Sequence, residues 1–337
     1  MTPAPPAPDT SSWHLPRPFG WRTILLLSIT LLVLGVTGDR VEMDRALVQT
    51  GEGLAAVVGL EDDSQVARGL GSIGRQLWPP VLETRTEVGR LQDFEADRLP
   101  LLARLEVEAV REDYIDPETL RMQSRTAVRE VLVEPFGYLS KVLVKLIETV
   151  EIALWGTVLA VLIGFPLAIL GAANLTPHAV VRTASRAAVS FLRAVPELIS
   201  ALFLVLAYGF GPVAGVLALA LHSAGFLGKF YAEDIENADK APQEAISATG
   251  ANRLKVLRYA ILPQVMPQYV AYTLYILDRN VRMATVIGLV GAGGIGQELK
   301  GRYDLYDYGH VATVLLAIFV LVFALDQLSS RIRRQLI

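Results

Sequence analysis

The chain has 337 residues, 52% of them hydrophobic and 19% charged, with a formal net charge of −3 and no cysteine. A mean hydropathy of +0.41 is too apolar for an ordinary soluble domain. The lack of cysteine excludes disulfides and thiolate-bound zinc, and the four histidines show no metal-ligand spacing, so no metal site is expected.

Residues 1–22 are rich in proline and serine and read as a tail without a core. Residues 23–38, TILLLSITLLVLGVTG, carry no charge and are long enough, with their flanks, to form a first transmembrane span. A signal peptide is the alternative, but no small-x-small cleavage site follows, which favours a retained anchor. Charge returns over residues 39–143, with 20 acidic against 13 basic side chains, so this stretch is solvated. Asp116 and Pro117 have the form of an N-cap and first helical residue, and 83–113 reads as amphipathic helix. The segment is therefore expected to be a helical insert, lying on the membrane surface or packed on the spans.

From residue 144 to 330 a membrane core follows. Ile152–Val181 is free of Asp, Glu, Lys and Arg and supplies a second span. Residues 188–208 make a third, carrying Arg193, Pro196 and Glu197 near its start, and 212–230 a fourth, interrupted by His222. A polar segment over 231–258 separates it from a fifth span that begins at Tyr259 and meets Asp278, Arg279 and Arg282. Residues 309–325 form the last span, and 331–337 a basic tail.

With the N-terminus inside, every inner segment is basic: Arg17 and Arg22; Arg182 and Arg186; Lys229, Lys240, Arg253, Lys255 and Arg258; and Arg331, Arg333 and Arg334. That is the distribution the positive-inside rule favours. It puts both termini and the polar segment in the cytoplasm and the 39–143 insert outside.

Within the polar segment, Pro242 suits the first position of one helix and Gly250 its left-handed C-cap, and Leu254, Leu257 and Ile261 then share a face of a second helix. Glu244-Ala245, Gly250 and Leu262-Pro263 resemble the EAA loop of ABC-importer permeases, although Ile246 and Ala260 depart from its pattern. ETVEIALWGT (148–157), GPVAGVLALALHSAGFLGKFYAEDIE (211–236), ATGANRLKVLRYAILPQVMP (248–267) and NVRMATVIGLVGAGGIG (280–296) together resemble the phosphonate-type permeases of that class. The resemblance covers nearly all of the chain from about residue 148. It implies an all-α, type I ABC-importer permease fold of six transmembrane helices in a bacterial inner membrane, with the extracytoplasmic helical insert added. Residues 75–140 look like an insertion relative to shorter members. It also implies a homodimer, two cytosolic ABC ATPase subunits that hold the ATP and Mg and grip coupling helices over 240–263, and an extracytoplasmic substrate-binding protein. Phosphonate, phosphite or hypophosphite is the implied cargo, and nucleic acid is not an implied partner. Glu244, Ala245, Gly250, Leu262 and Pro263 would carry the ATPase coupling.

No catalytic residue is expected. AGFLGK at 224–229 lacks the spacing of a nucleotide-binding loop, and GAGGIG at 291–296 matches a dinucleotide pattern without the preceding strand that pattern needs. Gly291, Gly293, Gly294 and Gly296 point instead to close helix approach or a broken helix beside a path. Charges at membrane depth are costly and normally face a bundle interior or an aqueous path. Arg193 and Glu197, four apart, are expected to pair on one helix face. Asp278 is expected to pair with Arg282, leaving Arg279 or Asn280 to face a path that a cationic lining would make selective for an oxyanion. A structural or subunit-contact role for these residues stays open. His222 reads as a hydrogen-bonded packing residue. An ion-coupled carrier is the alternative function, although internal repeats, which such carriers usually carry, are not evident.

Overall fold

A computed structural model describes residues 20–57, 64–91, 94, 99–100, 102–115 and 122–336. The chain divides into two compact units at residues 75 and 76. The first holds α1 (Trp21–Arg40), α2 (Met43–Val57) and most of α3 (Gln65–Leu77). The α1 helix contains the expected anchor, and its best 18-residue stretch is apolar enough to cross a membrane. In this unit Gly53 lies close against Val66, and the Ser64 hydroxyl accepts from the Ala67 amide at 3.0 Å, capping α3. The expected tail over residues 1–19 lies outside the described residues.

The second unit corrects the all-helical expectation for the insert. Residues 84–134 carry a three-stranded antiparallel sheet of order β1-β3-β2, with β1 (Thr84–Glu87), β2 (Arg104–Ile115) and β3 (Met122–Glu134). Glu106 faces Val131 and Glu112 faces Arg125 in the β2–β3 register. The apolar residues Leu105, Val107 and Ala109 alternate with charge, a period of two, and β3 is rich in valine, whose branched side chain suits a pleated surface. Asp116 and Pro117, the expected helix start, lie outside the described residues, and the stretch from Met122 onward is strand. Val131, Leu132 and Val133 are buried. The sheet is tied to the helices by the Leu82 carbonyl, which accepts from the Tyr138 and Leu139 amides, and by the Val81 carbonyl, which accepts from the Thr313 hydroxyl.

The remaining helices are α4 (Gly137–Gly171), α5 (Ala179–Ala194), α6 (Glu197–Tyr208), α7 (Pro212–Asn237), α8 (Lys240–Ala248), α9 (Arg253–Val256), α10 (Leu262–Gly288), α11 (Gly294–Asp304) and α12 (Tyr308–Leu336). Small residues at four-residue spacing explain the central contact. Gly156, Ala160, Gly164 and Ala168 are buried on α4, and Ala224, Gly228 and Ala232 on α7. A Cβ on Gly164 would sit 2.9 Å from the Ala224 carbonyl oxygen, so the two backbones meet without side chains between them. The 35 residues of α4 span about 52 Å, well beyond a hydrocarbon core of about 30 Å.

Among the described residues, four helices are long and apolar enough to cross a membrane, or five spans result if α5 and α6 count as one broken span. The six expected spans include α10, which falls outside that set: Asp278, Arg279 and Arg282 interrupt it, and prolines, glutamines and tyrosines lower its hydropathy before them. The expected straight third span is two helices bent by 88°. Pro196 is the reason: its ring disfavours helical geometry at Val195, which is extended at φ −82°, ψ 118°. The expected basic tail continues α12 as helix to Leu336.

Candidate functional site

Three features converge on α10: a polar elbow at its start, a charge cluster at its middle and a glycine-rich hook at its end. The elbow begins with α8, whose N-cap is Asp239, the carboxylate accepting from the Ala241 amide at 3.1 Å. Pro242 is thus the third helical residue rather than the first, still within the turn whose N–H groups have no helical partner. Thr249 ends the helix and Gly250 adopts φ +80°, the left-handed cap expected for it. Asn252 then caps α9, accepting from the Lys255 amide at 3.0 Å. Arg253 donates to the Leu175 carbonyl at 2.9 Å and so ties the elbow to the α4–α5 loop. Residues 257–261 form a π-turn leading into α10, with Pro263 in its first turn. Leu257 and Ile261 are buried as the spacing predicts, but Leu254 is 71% exposed, and the buried face is Val256, Leu257, Ala260 and Ile261. No residue of α8 is buried, so Glu244 and Ala245 stand at the surface.

At the middle of α10 lies the charge cluster. Arg279 donates to Glu197 at 2.7 Å, and the other Glu197 oxygen is 3.1 Å from His222 Nε2. The predicted Arg193–Glu197 pair is therefore replaced. The break at Pro196 puts Arg193 at the end of α5 and Glu197 at the start of α6, so the four-residue spacing no longer aligns them on one face. His222 Nδ1 donates to the Val195 carbonyl at 2.9 Å, and Nε2 lies 3.1 Å from both an Arg279 nitrogen and a Glu197 oxygen, so the imidazole sits inside the ion pair. Asp278 pairs with Arg282 at 2.7 Å, as the i,i+4 spacing predicts. Asn280 is fully buried: its carbonyl oxygen accepts from Ser223 and its amide donates to Thr157, each at 2.9 Å. That pins α10 to α7 and α4, and of the two residues expected to face a path only Arg279, with a side chain 25% exposed, has the access to do so. Three guanidiniums, Arg193, Arg279 and Arg282, share the region with two carboxylates, Glu197 and Asp278.

The hook closes α10 onto α11. Gly211 donates to the Gly291 carbonyl at 3.0 Å, Glu148 accepts from the Gly294 amide at 2.9 Å, and Thr149 accepts from the Ile295 amide at 2.8 Å. Gly291, at φ +93°, has the Phe210 ring where its Cβ would stand. A Cβ on Gly293 would meet Pro212, one on Gly294 Thr149, and one on Gly296 the Thr285 carbonyl. All four predicted glycines are thus in close contact. Glu148 and Thr149, to which the sequence assigned no role, supply the acceptors that the unpaired amides at the start of α11 require.

Against known proteins, residues 160–336 match the family described as the binding-protein-dependent transport system inner membrane component. The chain belongs to this family. It is 58% identical over 261 residues, 77% of this chain and 100% of the relative, to a protein of Stutzerimonas stutzeri, HtxE, named as a permease of a phosphite transport system. A second permease from that organism, the phosphite transport system protein PtxC, is 45% identical over 189 residues, covering 56% of this chain and 69% of its own. Among solved structures, the inward-facing methionine ABC transporter MetNI aligns with a TM-score of 0.51 at 22% identity, over 58% of this chain and 96% of that one. This likeness supports the type I permease fold for the helical core.

Proposed function

We propose that this chain is the membrane subunit of an ABC importer that carries a phosphorus oxyanion, phosphite or a phosphonate, into the cell. The observation that carries the reading is the covalent continuity of α8, the Gly250 elbow, the π-turn and α10, which joins an unburied surface helix to the guanidinium of Arg279. Two copies of the chain form the path, two cytosolic ATPase subunits grip α8 around Glu244 and Ala245, and an extracytoplasmic binding protein delivers the cargo. The six spans are α1, α4, the bent α5–α6 pair, α7, α10 and α12, with both termini in the cytoplasm.

Hydrolysis on a partner moves this protein only through a contact that differs between states. A displaced α8 swings about Gly250, and Leu262-Pro263 pass the motion to α10. There it shifts Arg279 against Glu197, which sits on α6 and does not share the lever. An anionic cargo competes with Glu197 for the guanidinium, so opening is coupled to a charge that water alone does not replace. No observation favours the ion-coupled carrier.

The test is uptake of phosphite by vesicles containing the permease, its ATPase and its binding protein. Glu244→Ala combined with Gly250→Pro is expected to abolish ATP-driven uptake while the permease still inserts; uptake at the unmodified rate removes the elbow from its role.

A further inference from the structure

Beyond the charge cluster, α4, α5 and α7 line a half-open polar cavity of about 360 Å³. Arg186, Ser190 and Arg193 line it from α5, and Lys229, Glu233 and Glu236 from α7. Arg186 pairs with Glu236, and Lys229 with Glu233 at 3.4 Å. That leaves Arg193 as the uncompensated charge. Its Nε is buried and finds no hydrogen-bond partner among the described residues. A buried guanidinium donor without an acceptor is costly, and the group that best satisfies its planar fork is an oxyanion.

The Arg193 and Arg279 guanidiniums share one ring. Phe226 has the Arg193 guanidinium 5.5 Å from its centroid and that of Arg279 at 5.1 Å. The face of an aromatic ring attracts cations and repels anions. An anion is therefore stable beside either arginine and unstable over the ring that both contact.

We propose that the Arg193 cavity is a second phosphorus-oxyanion site, separated from Arg279 by Phe226, so that cargo passes from one guanidinium to the next in a discrete step. The proposal rests on the importer reading above. The ligand chemistry is a phosphorus oxyanion, and two sources supply it: free cargo or the headgroup of an anionic lipid. The step assigned here needs free cargo.

The chain has no cysteine, so a single Ser190→Cys substitution places one thiol at the cavity wall. In vesicles of phosphatidylcholine holding the permease with its ATPase subunits, phosphite is expected to slow modification of that thiol by a cationic thiosulfonate about tenfold, as occupancy of about 90% requires. Arg193→Gln is expected to remove the protection and Arg193→Lys to retain part of it, with size-exclusion profiles checking that each variant assembles. Phe226→Ala is expected to raise ATP-independent phosphite leakage. Protection unchanged by Arg193→Gln overturns the site, and absence of leakage overturns the separating role of the ring. Protection that appears only when phosphatidylglycerol is added, and never with phosphite, assigns the cavity to a lipid headgroup and overturns the cargo step. Failure of the importer reading is separate: it shows as no phosphite uptake by the unmodified complex, whereas failure of this site alone leaves that uptake intact with the thiol unprotected.

Discussion

At Gly250 an added Cβ would meet nothing within 4 Å, whereas at Gly296 it would lie 2.0 Å from the carbonyl oxygen of Thr285. Both glycines punctuate the ends of segments joined to α10, yet they are needed for different reasons. Gly250 is needed for its backbone angle, and its surroundings are open. Gly296 is needed for its size, and its neighbours are backbone atoms that have no rotamer to change. A hinge that moves in a working cycle benefits from the first arrangement; a joint that holds a helix pair at fixed spacing needs the second. The elbow takes its shape from its own caps, Asp239, Thr249 and Asn252, with one distant tether from Arg253 to Leu175, while the hook is held by distant residues, Phe210, Glu148 and Thr149.

The largest expected effect that sharpens this contrast is Gly296→Ala. The contact forces α10 and α11 apart, and a loss of about 3 kcal/mol or more is expected, seen as poor accumulation and a lowered unfolding midpoint in detergent. A stable, monodisperse variant would break the contrast. Next is Thr149→Val, which strips the buried Ile295 amide of its acceptor. It is expected to cost about 1–3 kcal/mol, and Thr149→Ser to recover much of it on the same thermal assay. Gly250→Ala should cost about 1–2 kcal/mol, the penalty for a side chain in the left-handed region. Gly250→Asn, which tolerates that region, should cost less; equal behaviour of Ala and Asn would show that the angle does not matter.

The smallest effect concerns pH, at the α11–α12 junction outside the spans. Burial opposes ionisation of Glu298, but bonds from Lys141 and Arg302 outweigh it and hold the carboxyl below its ordinary value of 4.5. Burial likewise opposes ionisation of Asp307, and bonds from His310 and Arg302 hold it below 3.8. Because both folded values are depressed, their stabilisation is fully present above the ordinary values and is lost as pH falls through the folded ones. Protection factors of the 298–310 amides, with the intrinsic pH dependence of exchange divided out, are expected to be unchanged between pH 7 and 5 and to fall below about pH 4. Loss of protection already near pH 6 would contradict this origin.

Much of the elbow was legible because its signals are local. Gly250 marks its cap by residue type, and Leu257 and Ile261 follow helical spacing, whereas the caps at Asp239 and Asn252 went unread and Pro242 was placed two positions too early in its helix. The exposure of Leu254 was not legible, since spacing marks a face without saying where the neighbouring helices stop covering it. The Asp278–Arg282 pair was readable for the same local reason, lying one turn apart on a continuous helix. The pairing of Arg193 with Glu197 failed because Pro196 intervenes, and an i,i+4 rule holds only where the helix between is unbroken. In the insert, charge-rich segments were given a helical period when the alternation of Leu105, Val107 and Ala109 and the valines of β3 carried a strand signal.

By itself the sequence determined the apolar helices, the elbow, the family resemblance and the need for small residues at 291–296, because each depends on groups close along the chain or on a shared linear pattern. Only the tertiary structure decided that Glu197 and His222 meet Arg279, that Phe226 contacts both Arg193 and Arg279, and that Glu148 and Thr149 receive the amides of α11. Those contacts join residues far apart in the chain. Such partners are chosen by how the helices pack, and packing answers to the shape of every surface in contact rather than to any single stretch of residues.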